Sequence, residues 1–463
     1  MAEFLSSPYH NKQKVLGRLF ALICQASPDF TPQQLVAEKI WQSLYPKQSY
    51  EQQKLKDHMS QLSRLLKGFL LLQYLQEEAD GLAERLSLAS LAGLQAEKLF
   101  GQYRNAWQKT REKAPYRDAN YYEDWMHVAD YTDQLKGISW KREYGHSLQA
   151  KADNLDRYYL IQKLQAYCEM LNRNNLQQQH YEPHLIEDIQ ALLQNNPQYL
   201  AVPAIKLWYL VLQTLLKSED RESFLALREA LQEDGHYFRS AERRAMYKYA
   251  LNFCIRRINA GQNQYLEDSF TIYQEMLAAR LLHVQGKLSH TDYKNIASSG
   301  IRLQAFDWVE NFIHQYKSEV GGGLADNVYT YCLAYLYAAS GKEGEAMRLL
   351  QEVQFTDVYY VLSARTLLLQ IFYDQGEWDS LEYQLKAYQL FLKRNRTISQ
   401  RNRKLYLNYA RYLGLLLKYR DQSILLDKAS RNQKHTKLVS DLQGQSELAH
   451  KSWLMERLAA LGK

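Results

Sequence analysis

Apolar residues recur along this chain at spacings of three and four, the period of helices that bury one face. Leu55, Met59, Leu62, Leu66 and Phe69 form one such stripe, and Tyr158, Leu160, Leu164, Cys168 and Leu171 form another. The clearest organisation lies between Asn327 and Asn395, where two helix pairs superimpose with a single offset. The first carries Tyr331, Leu333, Ala334, Tyr337, Gly341, Ala346 and Leu350; the second carries Leu368, Leu369, Phe372, Gly376, Leu381 and Leu385. Gly341 and Gly376 are 35 residues apart, and each can take the left-handed conformation that ends a helix. Ala334 and Ala346 are small where the two helices of a pair cross most closely. One such pair cannot bury its apolar stripe alone, so copies are expected to stack.

This order of small, aromatic and glycine positions resembles the tetratricopeptide repeat. The resemblance implies an all-α, tetratricopeptide-like α-solenoid of antiparallel helix hairpins. It departs from the pattern at Leu369 and Leu381, which replace small residues, and at Thr330, which stands at the tryptophan position. Other pairs are less regular. Two helices are expected from Leu86 to Lys136. One helix is then expected from Leu155 to Leu171, with a return helix opened by Pro183. Pro203 opens the next helix, returned by Phe224 to Leu231, and Ala241–Ile258 pairs with Tyr265–Leu282. Trp308 and Trp378, two periods apart, are expected at the entrances of return helices, and Gly321-Gly322-Gly323 reads as a flexible joint.

The first 80 residues read as a separate unit. Thr31-Pro32-Gln33-Gln34 has the form of a helix start with a capping box, and Ser49 with Gln52 has the form of a second. The helix carrying Leu55 to Phe69 exposes Lys54, Lys56, Ser60, Ser63, Arg64 and Lys67. Two capped helices, the second longer and basic outside, fit a helix-turn-helix unit; a first hairpin of the array explains the same pattern and is favoured, because helix pairs with basic outer faces are common. The run from Leu35 through Tyr45-Pro46 to Leu66 also resembles the winged-helix part of bacterial transcriptional activators. With the opening Phe4-Leu5-Ser6-Ser7-Pro8-Tyr9-His10-Asn11, it resembles a group of uncharacterised bacterial helical-repeat proteins. That second likeness spans most of the chain and implies no functional residues.

Charge alters the picture only at the C-terminal end. The net charge is +7, yet Leu381 to Lys463 holds 17 Lys and Arg against 6 Asp and Glu, leaving 41 against 45 elsewhere. Arg394, Arg396, Arg401, Arg403 and Lys404 surround a capping Ser399. From Lys428 to Ser446 the apolar residues thin out into what reads as a basic linker, and Leu448 to Leu461 reads as a helix capping the stack. The expected divisions are therefore 1–80, 81–427 and 428–463.

Candidate chemistry is sparse. No phosphate-binding glycine loop, zinc signature, nucleophile elbow or calcium loop appears. His180 and His184 flank Glu182 and Pro183, which does not set two imidazoles on one helical face, and no metal or cofactor is expected. Glu219, Asp220 and Glu222 sit at a helix start, where negative charge favours the dipole. Cys24, Cys168, Cys254 and Cys332 share no ligand spacing and read as reduced core thiols. The 36 tyrosines are spread evenly, which favours packing in helix seams over base stacking beside the C-terminal arginines. There is no secretory start and no run of about 20 apolar residues, so a cytoplasmic protein without membrane contact is expected.

These readings lead to a non-catalytic scaffold or adaptor that binds a protein or peptide along the inner face of the first helix of each pair, with Asn327, Tyr335, Arg365 and Gln370 as candidate contacts. The competing expectation is a nucleic-acid-binding regulator that uses Lys54, Lys56, Arg64 and Lys67, or Arg394, Arg396, Arg401, Arg403 and Lys404.

Overall fold

The computed structural model describes residues 1–27, 30, 31, 33, 35–77, 81–138, 145–177, 180–217, 219–352, 357–423 and 425–462. Among them are 22 α-helices, three short 3-10 turns and a single pair of two-residue strands, so the chain is all-α. No helix among the described residues is long and apolar enough to cross a membrane. The chain divides into two compact units, 1–163 and 164–463.

The first unit contains α1 (Ala2–Ser6), α2 (Lys14–Cys24), α3 (Ala37–Leu44), α4 (Gln52–Glu77), α5 (Leu82–Gly93), α6 (Glu97–Glu112), α7 (Ala119–Ile138) and the start of α8 (Ser147–Gln177). Leu5, Leu16, Leu19, Trp41, Leu44, Leu55 and Leu62 form one core across α1 to α4. Leu88, Phe100, Trp107, Val128 and Leu135 form a second core across α5 to α7. The capping box expected at Thr31 falls partly on Pro32 and Gln34, which lie outside the described residues. The Leu35 amide donates to the Thr31 carbonyl, Val36 is extended, and α3 begins at Ala37. Three helices, not two, span 82–138, because Gln95 takes a left-handed φ of 53° that separates α5 from α6. In sequence Gly137 to Ser147 reads as an interruption of the helices, and of it residues 139–144 lie outside those described. Cys24 is exposed, not a core thiol; it is the last residue of α2, beyond the buried stripe of Leu16 and Leu19.

The second unit takes the remainder of α8 and continues through α9 (Ile186–Asn195), α10 (Pro203–Leu216), α11 (Arg221–Asp234), α12 (Ser240–Asn259) and α13 (Tyr265–Ala278). A hairpin of β1 (His283–Val284) and β2 (Lys287–Leu288) precedes α14 (His290–Arg302), α15 (Phe306–Tyr316), α16 (Ala325–Ala339) and α17 (Glu343–Glu352). Then come α18 (Val358–Gln375), α19 (Trp378–Arg394), α20 (Gln400–Ser423), α21 (Lys428–Gly444) and α22 (Lys451–Leu461). From α10 onward each helix packs on the next, and even-numbered helices also pack side by side: α10 on α12, α14 on α16, α16 on α18 and α20 on α22.

Local chemistry fixes many of these boundaries. Pro203 stands at the first position of α10, where its missing N–H is not needed. Asp220 caps α11, accepting from the Glu222 amide at 3.0 Å and the Ser223 hydroxyl at 2.6 Å. Gly341 and Gly376 hold φ of 78° and 72° at the ends of α16 and α18, and Trp378 opens α19. Ala334 and Ala346 are fully buried.

Other expectations fail for identifiable reasons. Pro183 does not open a helix: Leu185 takes a left-handed turn and α9 begins at Ile186. The triple glycine is tied at one end, since the Gly321 amide donates to the Leu288 carbonyl at 3.0 Å. The presumed linker after Lys428 is the helix α21. Asp427 caps it through the Ala429 and Ser430 amides, both at 3.0 Å, while Leu438, Val439 and Leu442 pack into the core of α18 to α22. Those three apolar residues suffice to seat a helix whose remaining faces are polar.

Candidate functional site

The second unit carries a polar and aromatic seam along its even-numbered helices. On α16, Asn327, Tyr331 and Tyr335 follow one another every four residues, one face of a helix. On α14, His290, Lys294 and Arg302 keep the same period. Ser363 and Gln370 lie on α18, Tyr406 on α20, and His450 just before α22.

Lys294 is the centre of this group. Its ammonium lies 5.8 Å from the centre of the Tyr331 ring and 5.9 Å from that of Tyr360, within cation–π range. Burial lowers its pKa from the usual lysine range, with Cys332 and Asp357 opposing. No carboxylate among the described residues forms an ion pair with it. Asp357 is committed to the start of α18, where it accepts from the Tyr359 amide at 2.8 Å and the Tyr360 amide at 3.3 Å. The Tyr360 hydroxyl is 3.0 Å from His290 Nδ1.

The tyrosines continue the seam. The Tyr331 and Tyr335 rings are 6.3 Å apart, and Tyr331 is 6.1 Å from Tyr360. Burial raises the pKa of Tyr331, Tyr335 and Tyr406; Arg302 opposes the shift at Tyr335, and the Ser363 hydroxyl opposes it at Tyr406. Gln370 Nε2 lies 3.4 Å from His450 Nδ1, and the His450 ring stands 5.5 Å from Tyr409. His450 is exposed by surface area, yet desolvation, aided by Lys294, pushes its imidazole down to about 4. Both hold together where a side chain has protein on most sides and water on one. At neutral pH the imidazole is therefore uncharged and the phenols keep their protons. The seam offers a cation, hydroxyl donors and ring faces, which is recognition chemistry more than proton transfer.

Of the four contacts expected from sequence, Tyr335 and Gln370 belong to this seam and Asn327 shares the α16 stripe; Tyr335 is half-buried, while Gln370 and Asn327 are buried. Arg365 is elsewhere. Its guanidinium lies 4.6 Å over the Phe391 ring and lines a groove of ≈ 410 Å³ with Ala387, Leu390, Phe391, Arg394 and Asn395. Sequence reading missed Lys294, Tyr331, Tyr406 and His450. Within α14 a signal existed: Ser289 and Asp292 have capping-box spacing, and the Asp292 amide does donate to the Ser289 hydroxyl at 3.0 Å.

The nucleic-acid candidates divide. Arg403 donates to the Asn395 carbonyl at 2.7 Å, and Lys404 pairs with Glu447, so both are engaged internally. Arg394, Arg396 and Arg401 are exposed. In the first unit Lys54 lies 5.1 Å over the Tyr45 ring, whereas Lys56, Arg64 and Lys67 stand exposed on α4. His184 approaches Glu182 at 4.0 Å, and among the described residues no group of three or more His, Cys, Asp or Glu is placed to hold a metal ion.

Comparison with known proteins finds no family model, no curated protein and no solved structure that matches the chain.

Proposed function

We propose that the second unit is a tetratricopeptide-like α-solenoid of helix hairpins that binds an extended peptide segment of a partner protein along its even-numbered helices. The observation that carries this reading is the Asn327–Tyr331–Tyr335 stripe, with Lys294 over the Tyr331 ring, and the polar groups Ser363, Tyr406, Gln370 and His450 beyond it. Side-by-side contact of alternate helices and the left-handed glycines closing α16 and α18 support the hairpin arrangement. Tyrosine rings bind backbone and side chains with little entropy loss, since each has only two side-chain rotations to fix. The role proposed is that of a non-catalytic adaptor.

The test is selection of dodecamer peptides against the intact chain, followed by binding titrations. Enriched peptides are expected to bind the chain and to lose roughly tenfold in affinity with Tyr335→Ala or Tyr406→Ala, the loss of one well-packed aromatic contact. Tyr383→Ala is the control, because that ring is 72% exposed on α19. Equal loss in all three variants would overturn the reading.

Arg394, which lines the Arg365–Phe391 groove, together with the exposed Arg396 and Arg401, favours a second reading in which this end of the chain holds a polyanion such as nucleic acid. An oligonucleotide that binds at low salt, with affinity falling steeply as salt rises, would support it. No binding at low salt would remove it.

A further inference from the structure

Resting on the peptide-binding reading, we infer that the seam selects a carboxylate: the bound segment carries an acidic side chain or a free C-terminus that pairs with Lys294 between Tyr331 and Tyr360. A lysine partly withdrawn from water normally takes a carboxylate partner from its own chain. Lys294 has two ring faces and, among the described residues, no ion pair. Asp357, whose Oδ1 accepts from the α18 backbone, acts on it only through its field, the Tyr360 hydroxyl meets His290, and Cys332 is a buried thiol whose pKa burial raises, so it stays uncharged.

The surroundings also fix the class of ligand. From α14 the other basic groups are His290, engaged with Tyr360, and Arg302, two turns further on and 3.5 Å from Asn263 Oδ1. The start of α22 brings the uncharged His450 and, beyond it, Glu456, whose charge acts on Tyr335. One ammonium without an arginine fork suits a singly charged carboxylate better than a phosphate, which favours bidentate arginine. A cationic ligand would be repelled by Lys294. An uncharged one would add no ion pair to the ammonium.

The test uses the full chain with its lysines reductively methylated with carbon-13, the Lys294 signal being assigned by its absence in Lys294→Met. Four probes are added: acetate, tetra-alanine, tetra-alanine amide, and N-acetyl-Ala-Ala-Asp-Ala amide. Tetra-alanine or the aspartyl peptide is expected to move the Lys294 signal and raise its titration midpoint, while tetra-alanine amide leaves both unchanged. The larger effect of those two identifies a chain terminus or an acidic side chain as the source. A midpoint unmoved by all three carboxylates overturns the inference. The selected dodecamers separate the two proposals. Lys294→Met should weaken them roughly tenfold, and Lys294→Arg much less, as expected for loss and retention of a charged hydrogen bond. If they bind Lys294→Met as well as the unaltered chain, the carboxylate anchor falls and the peptide reading stands. If no dodecamer binds the unaltered chain, both fall.

Discussion

The ammonium of Lys294 stands 5.8 Å from the centre of the Tyr331 ring while no carboxylate among the described residues pairs with it. The stem packs and the charge is held by ring faces. Replacement by methionine keeps the stem and removes the desolvated charge. Lys294→Met is therefore expected to leave folding stability unchanged or to raise it by about 1 kcal/mol, read by urea unfolding. A loss of roughly 2 kcal/mol or more would mean that the ammonium holds the fold together.

His450 gives a pH signature. Its imidazole is depressed from 6.5 to about 4, so between those values the unfolded chain binds a proton that the native chain does not. Stability then falls as pH drops from about 6.5 toward 4, with no further loss from this group below 4. Histidine resonances should show His450 titrating well below the usual imidazole value of 6.5. A midpoint above 6 would contradict the enclosed position.

In the first unit, Asp124 is buried between Arg111 and Arg85, at 2.5 and 3.2 Å, and burial still pushes its carboxyl up to about 6 against both arginines. Arg111→Met removes the closer partner. A loss of about 3 kcal/mol is expected by denaturant titration. Asp124→Asn in the Arg111→Met background should restore part of it by removing the stranded charge.

How much of this was legible depended on how local the signal was. Gly341, Gly376, Pro203 and Trp378 mark helix ends through their own backbone or ring chemistry, and each lies where the spacing put it. The α14 helix did not stand out because its close contact is made by a missing side chain: a Cβ on Gly300 would come within 2.5 Å of Val309, so the residue reads in sequence as a breaker when it is a crossing point. Lys294 is invisible for the same reason. The meeting of Gln370 with His450 spans 80 residues, and no periodicity within a helix announces a contact of that kind. The basic patch was legible as charge, but not that Arg403 and Lys404 are engaged at home.

Gly300 and Gly376 separate two uses of glycine. Gly300→Ala forces a methyl against Val309 and Phe270 and is expected to cost about 2 kcal/mol. Gly376→Ala meets only ordinary contacts but must hold φ near 72°, for a loss of about 1 kcal/mol. Urea unfolding of the two variants should rank them in that order.

The most direct measurement is hydrogen–deuterium exchange of the intact chain with and without a selected dodecamer. Slower exchange is expected in α14, α16, α18 and the start of α22, with α4 and residues 394–401 unchanged. Slowing confined to α4 or to 394–401, with α14 and α16 unaffected, would contradict the account.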